Sequence, residues 1–393
     1  MKFDSQTYRL TDKGRFGSIT LIVGIIGLIL SCVGWFTDSQ QFYFSYLTAF
    51  VFWLTIALGG LFFVLLHHLV GAKWSIVIRR FGESIMMVIP LMAILFIPLL
   101  FGLHELYLWM NSEVVASDHL LQGKSGYLNL NFFVVRAVLY FVIWTVLAFL
   151  LNKYSLQQNQ NPSPEQIKKF RIISAPGMIL FAVTLTFASF DWLMSLDAHW
   201  FSTIFGVYIF SGSFLSLLCV VTLVVIRLQS NGVLKEAITK EHYHDLGKLM
   251  FAFIIFWGYM AFSQYFLIWY GNIPEETIWF LHRWEGSWKS VSMLIVYGHF
   301  VIPFFVLFPQ VTKRNKAVMT VMSIWILVMH WVDIYWLVMP TLHHHGYHLS
   351  WIDLATFIGI GGLFLHLFWR IFTAHPLVPV GDPNLEQSIK IVS

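Results

Sequence analysis

The sequence predicts an all-α integral membrane protein of ten transmembrane helices, on three observations. Of 393 residues, 58% are hydrophobic and only 11% charged, with a mean hydropathy of +0.72, too apolar for one soluble core. The apolar residues are gathered into runs of membrane length rather than spread at amphipathic spacing. Lysine and arginine crowd into alternate connections: of 24, all but Lys124, Arg283, Lys289 and the intramembrane Arg136 fall on the side of the two termini. That asymmetry places both termini in the cytoplasm. The net charge of +4 is then a product of topology and calls for no nucleic acid.

The predicted spans are 17–36, 47–70, 84–110, 130–151, 173–195, 203–228, 249–270, 291–312, 317–340 and 350–373. The first is full length without a small-residue cleavage motif, and reads as a retained helix. The second carries Gly59 and Gly60, suited to close helix contact, and ends at His67 and His68. Pro90 and Pro98 are set to kink the third, which ends near Glu105. The fourth contains Arg136. Before the fifth, Ser163, Pro164 and Gln166 have the spacing of a helix start. The fifth runs into SFDWLMSLDAHWFSTIFG, Ser189 to Gly206, where Asp191, Asp197 and His199 lie among aromatic residues before the sixth begins. Gln264 marks the seventh, His299 and Pro303 the eighth, and His330 and Asp333 the ninth. The tenth holds Gly361, Gly362 and His366, and the proline-spaced tail 374–393 reads as a solvated or partner-bound cytoplasmic segment. Cys32 and Cys219 lie on separate apolar helices, which excludes a disulfide framework, a thiolate-held iron-sulfur cluster and a C-x-x-C-H haem.

Three weak matches recur four spans apart: FSYLTAFVFWL with FSTIFGVYIFS, HELYLWMN with SQYFLIWYGN, and DWLM with DIYWLVM. The constant offset predicts two four-helix bundles of like orientation, 47–195 and 203–340. Spans 17–36 and 350–373 then lie outside them, the whole forming one polytopic domain over 1–393.

Measured along the helices, Glu105, Arg136, Asp191, Gln264, His299, His330 and Asp333 fall roughly 6 to 15 Å inside the outer boundary. Charges at that depth pair with one another or face a cavity, so the layer points into bundle interiors. Arg136 has Asp191, Glu105 or Asp333 as its counter-ion. Such a layer either fixes helix packing or handles protons or a head group. On the second reading Asp191, His330, Asp333, Glu105 and His299 are the proton-path candidates, with Arg136 and Gln264 setting charge and orientation. His330 and Asp333, three apart on one face, suit a proton relay as well as a packed pair. His299 and His330 at matched depth also suit a bis-histidine haem, and Trp192, Trp200 and Trp269 the wall of a quinone pocket. His67, His68 and His366 read as interfacial, or with Glu83 as a proton entry. The loop HHHGYH from His343 is rich in nitrogen ligands but isolated, so no metal is assigned to it and a solvated or partner-facing role is favoured.

The stretches SFDWLMSLDAHWFSTIFGVYIFSG, YMAFSQYFLIWYGNIPEETIWF from Tyr259, MHWVDIYWLVMP from Met329 and DPNLEQS from Asp382 resemble one of the two related polytopic membrane subunits of bacterial alternative complex III. Those proteins belong to the wider NrfD-like, polysulfide-reductase membrane-protein family. The resemblance covers essentially the whole chain and departs at Ala198, where proline is expected. It implies a bacterial inner-membrane component of a quinol-oxidising respiratory complex. Iron-sulfur clusters and c-type haems on partner subunits would pass electrons to cytochrome c or an associated terminal oxidase. The other, related membrane subunit would be the better quinol site, leaving this chain to scaffold, conduct protons or bind quinone. Read from residues alone, the repeat and the midplane charges also suit a self-sufficient secondary transporter. Paired Gly and Pro helix breaks, however, do not fall at matching places of the two halves.

Overall fold

The computed structural model describes residues 8–10, 12–160 and 162–391. Among them the regular structure is helical, and ten helices are long and apolar enough to cross a membrane. They are α1 (Phe16–Thr37), α2 (Ser39–Val70), α3 (Ile76–Phe101), α4 (Leu130–Gln160), α5 (Glu165–Leu196), α6 (Phe205–Ser230), α7 (Lys240–Gly271), α8 (Trp288–Leu307), α9 (Lys316–Thr341) and α10 (Trp351–Phe372). The chain is thus a multi-pass membrane protein, and the spans predicted from hydropathy exist one for one.

The hub is α2, a helix apolar all round. Such a helix belongs inside: 89% of its apolar window is buried, against 22% for α1. It touches α1, α3, α4, α5, α6, α9 and α10. Lipid is as apolar as a leucine side chain, so membrane helices associate through close packing and polar contacts. On α1 the buried residues are Gly17, Thr20, Gly24, Gly27, Ser31 and Gly34. Their alternating spacing of three and four is a heptad seam made of small residues. It lies against Gly359 and Gly362 of α10, so close that a Cβ on Gly27 would sit 2.5 Å from the Gly359 nitrogen. Gly59 likewise meets the Ser213 carbonyl of α6, and Gly361 the Trp53 ring.

Several boundaries differ from expectation, among them those of α3, α4, α5 and α8. α3 begins at Ile76, because Arg79 and Arg80 are paired within the fold and need no loop. It ends at Phe101, where Gly102 and two short turns (Leu103–Leu106 and Leu108–Met110) follow. α4 continues to Gln160 through polar residues expected in a linker, and α5 starts beside Ser163, whose Oγ accepts from the Glu165 N–H at 3.2 Å. α8 ends at Leu307 and holds a π-helical stretch, Ile295–Val301, just before Pro303. Proline cannot donate to the carbonyl a turn earlier, and the indole of Trp325 takes the Gly298 carbonyl at 2.7 Å.

The expectation of a solvated tail is corrected. Residues 374–391 fold back over the end of the helices that carries the termini, burying Leu377, Val378, Leu385 and Ser388. Residues 392 and 393 lie outside the described residues.

Candidate functional site

The polar layer resolves into two clusters, each built around an aspartate. In the first, α4 and α5 face each other across Asp191. Arg136 grips it with two hydrogen bonds, Nε to Oδ2 at 2.8 Å and Nη2 to Oδ1 at 2.9 Å, and the Tyr140 hydroxyl donates to Oδ2 at 2.8 Å. The guanidinium lies in the corner formed by the rings of Tyr127 and Phe132, 3.8 and 4.3 Å from their centroids, and donates to the Tyr127 carbonyl. Of the three counter-ions allowed by the sequence, Asp191 is therefore the one. A bidentate, desolvated pair flanked by aromatic rings is rigid.

In the second cluster, Asp333 of α9 accepts from the Tyr208 hydroxyl of α6 and, at 3.2 Å, from the Trp257 indole of α7. His299, from the π-helical stretch of α8, stacks on Trp257 with centroids 4.0 Å apart, and neither of its ring nitrogens has a partner among the described residues. No lysine or arginine among the described residues forms an ion pair with Asp333. All of Asp333, His299 and His330 are buried.

His330 shares α9 with Asp333, yet no hydrogen bond joins the two. Its Nε2 lies 3.0 Å from Thr55 Oγ1 on α2, while Asp333 turns to α6 and α7. The direct relay between them is therefore corrected, as is a haem held by His330 through Nε2, which Thr55 occupies. Glu105 is also corrected: α3 stops short of it, and it lies exposed on the turn beyond. Gln264 is buried on α7, accepting from Ser202 Oγ at 3.0 Å, and does not touch Arg136.

The three tryptophans expected to wall a quinone pocket lie in different surroundings. Trp192 is packed among Phe96, Tyr140 and Phe141, Trp200 stacks on Trp279 at 4.3 Å, and Trp269 is exposed. An apolar cavity of about 510 Å³ lies between α8 and α9, lined by Ile302, Val306, Val318, Val321 and Trp325. Its lining offers no aspartate, histidine or arginine to a quinone head group.

Toward the loop-bearing end, the residues connecting α3 to α4 are clipped to the α5–α6 turn. His199 Nε2 meets Asp118 Oδ2 at 2.5 Å, and Lys124 donates to the Ala198 carbonyl. The His199 hydrogen bond holds the Asp118 carboxyl below its ordinary value. Arg283 is buried as well, donating to the carbonyls of Trp279, Trp336 and Leu337 while lying on the Trp279 ring. It closes the end of α9, where free carbonyls favour a cation. In the histidine loop, His343 reaches Gln41 at 2.8 Å, and Gln41 and Ser45 donate to Asp353 of α10. His344, His345 and His348 are exposed. No group of three or more potential metal ligands occurs among the described residues.

At the opposite end lies a cluster the sequence reading did not assemble. Glu83, wholly buried, binds Arg79 at 2.9 Å and Arg80 at 2.7 Å, and accepts from Ser155 of α4. Arg79 also binds Asp382 of the folded-back tail at 2.7 Å and Gln158 at 3.1 Å. His67 joins through Ser75 and Arg79, and His68 stacks on Phe170 at 3.9 Å, so both are buried rather than interfacial. The RRFGE spacing, with Glu83 three and four residues from the arginines, was the available signal. His366 instead bonds the Gly17 carbonyl in the α1–α10 seam. No protein-family model and no curated protein matches this chain.

Proposed function

We propose that this chain is a scaffolding and proton-conducting membrane component of a quinol-oxidising respiratory complex of the alternative complex III type. The observation that carries the proton-conducting part is the contrast between the two aspartates. Asp191 is neutralised in place by Arg136, whereas Asp333 has two donor partners and no cation among the described residues. A carboxylate buried without a cation is costly, and the remaining way to neutralise it is a proton. His299 is stacked on the Trp257 ring that donates to Asp333, and both of its ring nitrogens are unpartnered among the described residues, which gives the cluster a group able to exchange that proton. Asp191 is on this reading a structural member of the layer, and Glu105 has no part in the path.

The finer architecture belongs to the same proposal. Contacts among α2 to α5 and among α6 to α9, with α1 seated on α10, support two four-helix bundles with two outer helices. The lysine and arginine bias supports cytoplasmic termini in a bacterial inner membrane. The motif resemblance supports the complex and its partners: a second, related polytopic membrane protein, extracytoplasmic haem and iron-sulfur subunits, and a terminal oxidase. Quinol would be oxidised elsewhere in that assembly, since the aromatic residues here fill the space about the layer.

A self-sufficient transporter is the competing reading. Transporters break equivalent helices of their repeats around the substrate. Here α3 is interrupted at Met87–Val88 and α8 by its π-helical stretch. Under the four-span offset these helices are not equivalents, which favours the first reading.

The test is a reduced-minus-oxidised visible spectrum of the complex purified gently through a tag on this chain. Bands of c-type haem from co-purifying subunits are expected. An intact preparation free of haem, or substrate uptake by the purified chain alone, would overturn the assignment.

A further inference from the structure

Every carboxylate oxygen in the Arg79–Arg80 cluster is committed, but not every donor is. Glu83 Oε1 accepts from Arg79 and Ser155, Glu83 Oε2 accepts from Arg80 Nη1, and Asp382 Oδ2 accepts from Arg79. Arg80, only 2% exposed, keeps Nε and Nη2 without a partner, and Gln158 Nε2 is in the same position. Nε and Nη2 form one edge of the guanidinium, two parallel N–H vectors at the spacing of two oxygens of one oxyanion. A buried polar group left unpaired costs on the order of 1–3 kcal/mol, and more when charged.

The depth of the cluster narrows the class of ligand. Arg79 and Arg80 are the fourth and fifth residues of α3, roughly 5 to 6 Å along its axis from the first, a depth at which lipid phosphates lie. Arginine is the side chain suited to bidentate phosphate recognition. What covers the cluster is the folded-back tail. Among the described residues its backbone ties to the rest of the chain are Leu377 N–H to the Tyr8 carbonyl, Gly381 N–H to Asn159, and the Ser388 carbonyl to His242. A segment held mainly by side chains opens at lower free energy than a helix core.

We propose that Arg79 and Arg80 form a phosphate-class oxyanion site at the end read as cytoplasmic. Asp382 is the built-in anion on Arg79, and the open edge of Arg80 receives a phosphate when the tail lifts. With Asp382 in place the two arginines are balanced by two carboxylates. Departure of Asp382 leaves one positive charge, which an incoming phosphate neutralises. Tail and phosphate therefore compete, and the site couples phosphate binding to release of residues 374–391.

The phosphate has two sources, a lipid head group and the free ion, and the experiment separates them. The full chain is held in dodecyl maltoside micelles, which carry no phosphate, with or without added phosphatidylglycerol, and inorganic phosphate is added against chloride at equal ionic strength. Hydrogen exchange is followed by mass spectrometry in the peptide covering 374–391. At least tenfold faster exchange there, with α9 unchanged, is expected from one source. Response to phosphatidylglycerol alone identifies the lipid, and response to inorganic phosphate alone the free ion. Asp382→Asn is expected to lower the phosphate concentration needed at least fivefold, and Arg80→Lys, which keeps charge but loses the paired edge, to abolish the response. No response of the wild-type chain to either source, or an equal response in Arg80→Lys, overturns the proposal. The wild-type measurement decides by itself if a variant does not fold.

Discussion

Asp191 and Asp333 are the same residue type at similar depth, and their surroundings predict opposite consequences of the same substitution. Asp191→Asn leaves Arg136 as an uncompensated buried charge, with an expected cost of about 3 to 5 kcal/mol. In Asp333→Asn no cation is orphaned. The amide oxygen can accept from Trp257, and the Tyr208 hydroxyl can turn to accept from the amide nitrogen. Thermal unfolding followed by tryptophan fluorescence should therefore show a large fall in Tm for Asp191→Asn and a small one for Asp333→Asn. Proton uptake coupled to quinol oxidation in the assembled complex should be lost in Asp333→Asn despite normal assembly. Equal destabilisation by the two, or full coupling without Asp333, would remove the distinction. The sequence marked both residues as buried charges that need a partner, and both are buried and hydrogen-bonded. It did not separate their roles, because which cation meets which carboxylate depends on the rotation of each helix about its axis, and helices apolar all round carry no moment that reports it.

Among the elements, the α1–α10 pair depends most on a single feature, the seam of small residues. Only Gly and hydroxyl side chains bury on α1, so its attachment rests on backbone approach and on contacts such as His366 to the Gly17 carbonyl. Gly27→Leu would set a side chain where a Cβ alone is 2.5 Å from the facing backbone. Overpacking of this kind costs about 1–3 kcal/mol or more. The expected outcome is separation of α1 from α10 with α2 to α9 intact. A cysteine pair at Ser31 and Ala355 reports it by losing cross-linking; unchanged cross-linking would mean that α1 shifts to accommodate the leucine. The sequence flagged Gly361 and Gly362 for close contact but not this seam, whose period is clear only once α10 is known to lie beside α1. The start of α3 was misjudged for a related reason. Arginines read as loop residues are helical when carboxylates from three and four residues ahead and from the distant tail neutralise them.

The whole molecule is a hub helix with the others arranged around it, its polar groups concentrated in two aspartate clusters and an ionic cluster toward the termini. Reporter fusions check its orientation. Green fluorescent protein at the C-terminus is expected to be fluorescent and alkaline phosphatase there inactive, and an active phosphatase would invert the topology. Membrane character, the number of spans and the bias of positive charge were determined by the sequence alone, because hydrocarbon imposes a minimum length of apolar helix and a cost on every stray charge. Tertiary structure alone decided that Arg136 belongs to Asp191, that Asp333 has no cation among the described residues and is not bonded to His330, that Glu105 lies exposed on the turn after α3, and that the tail returns to Arg79. Each of these joins residues far apart in the chain through the azimuth of a helix or the path of a loop, and neither leaves a periodic signal in a sequence that is apolar on every face.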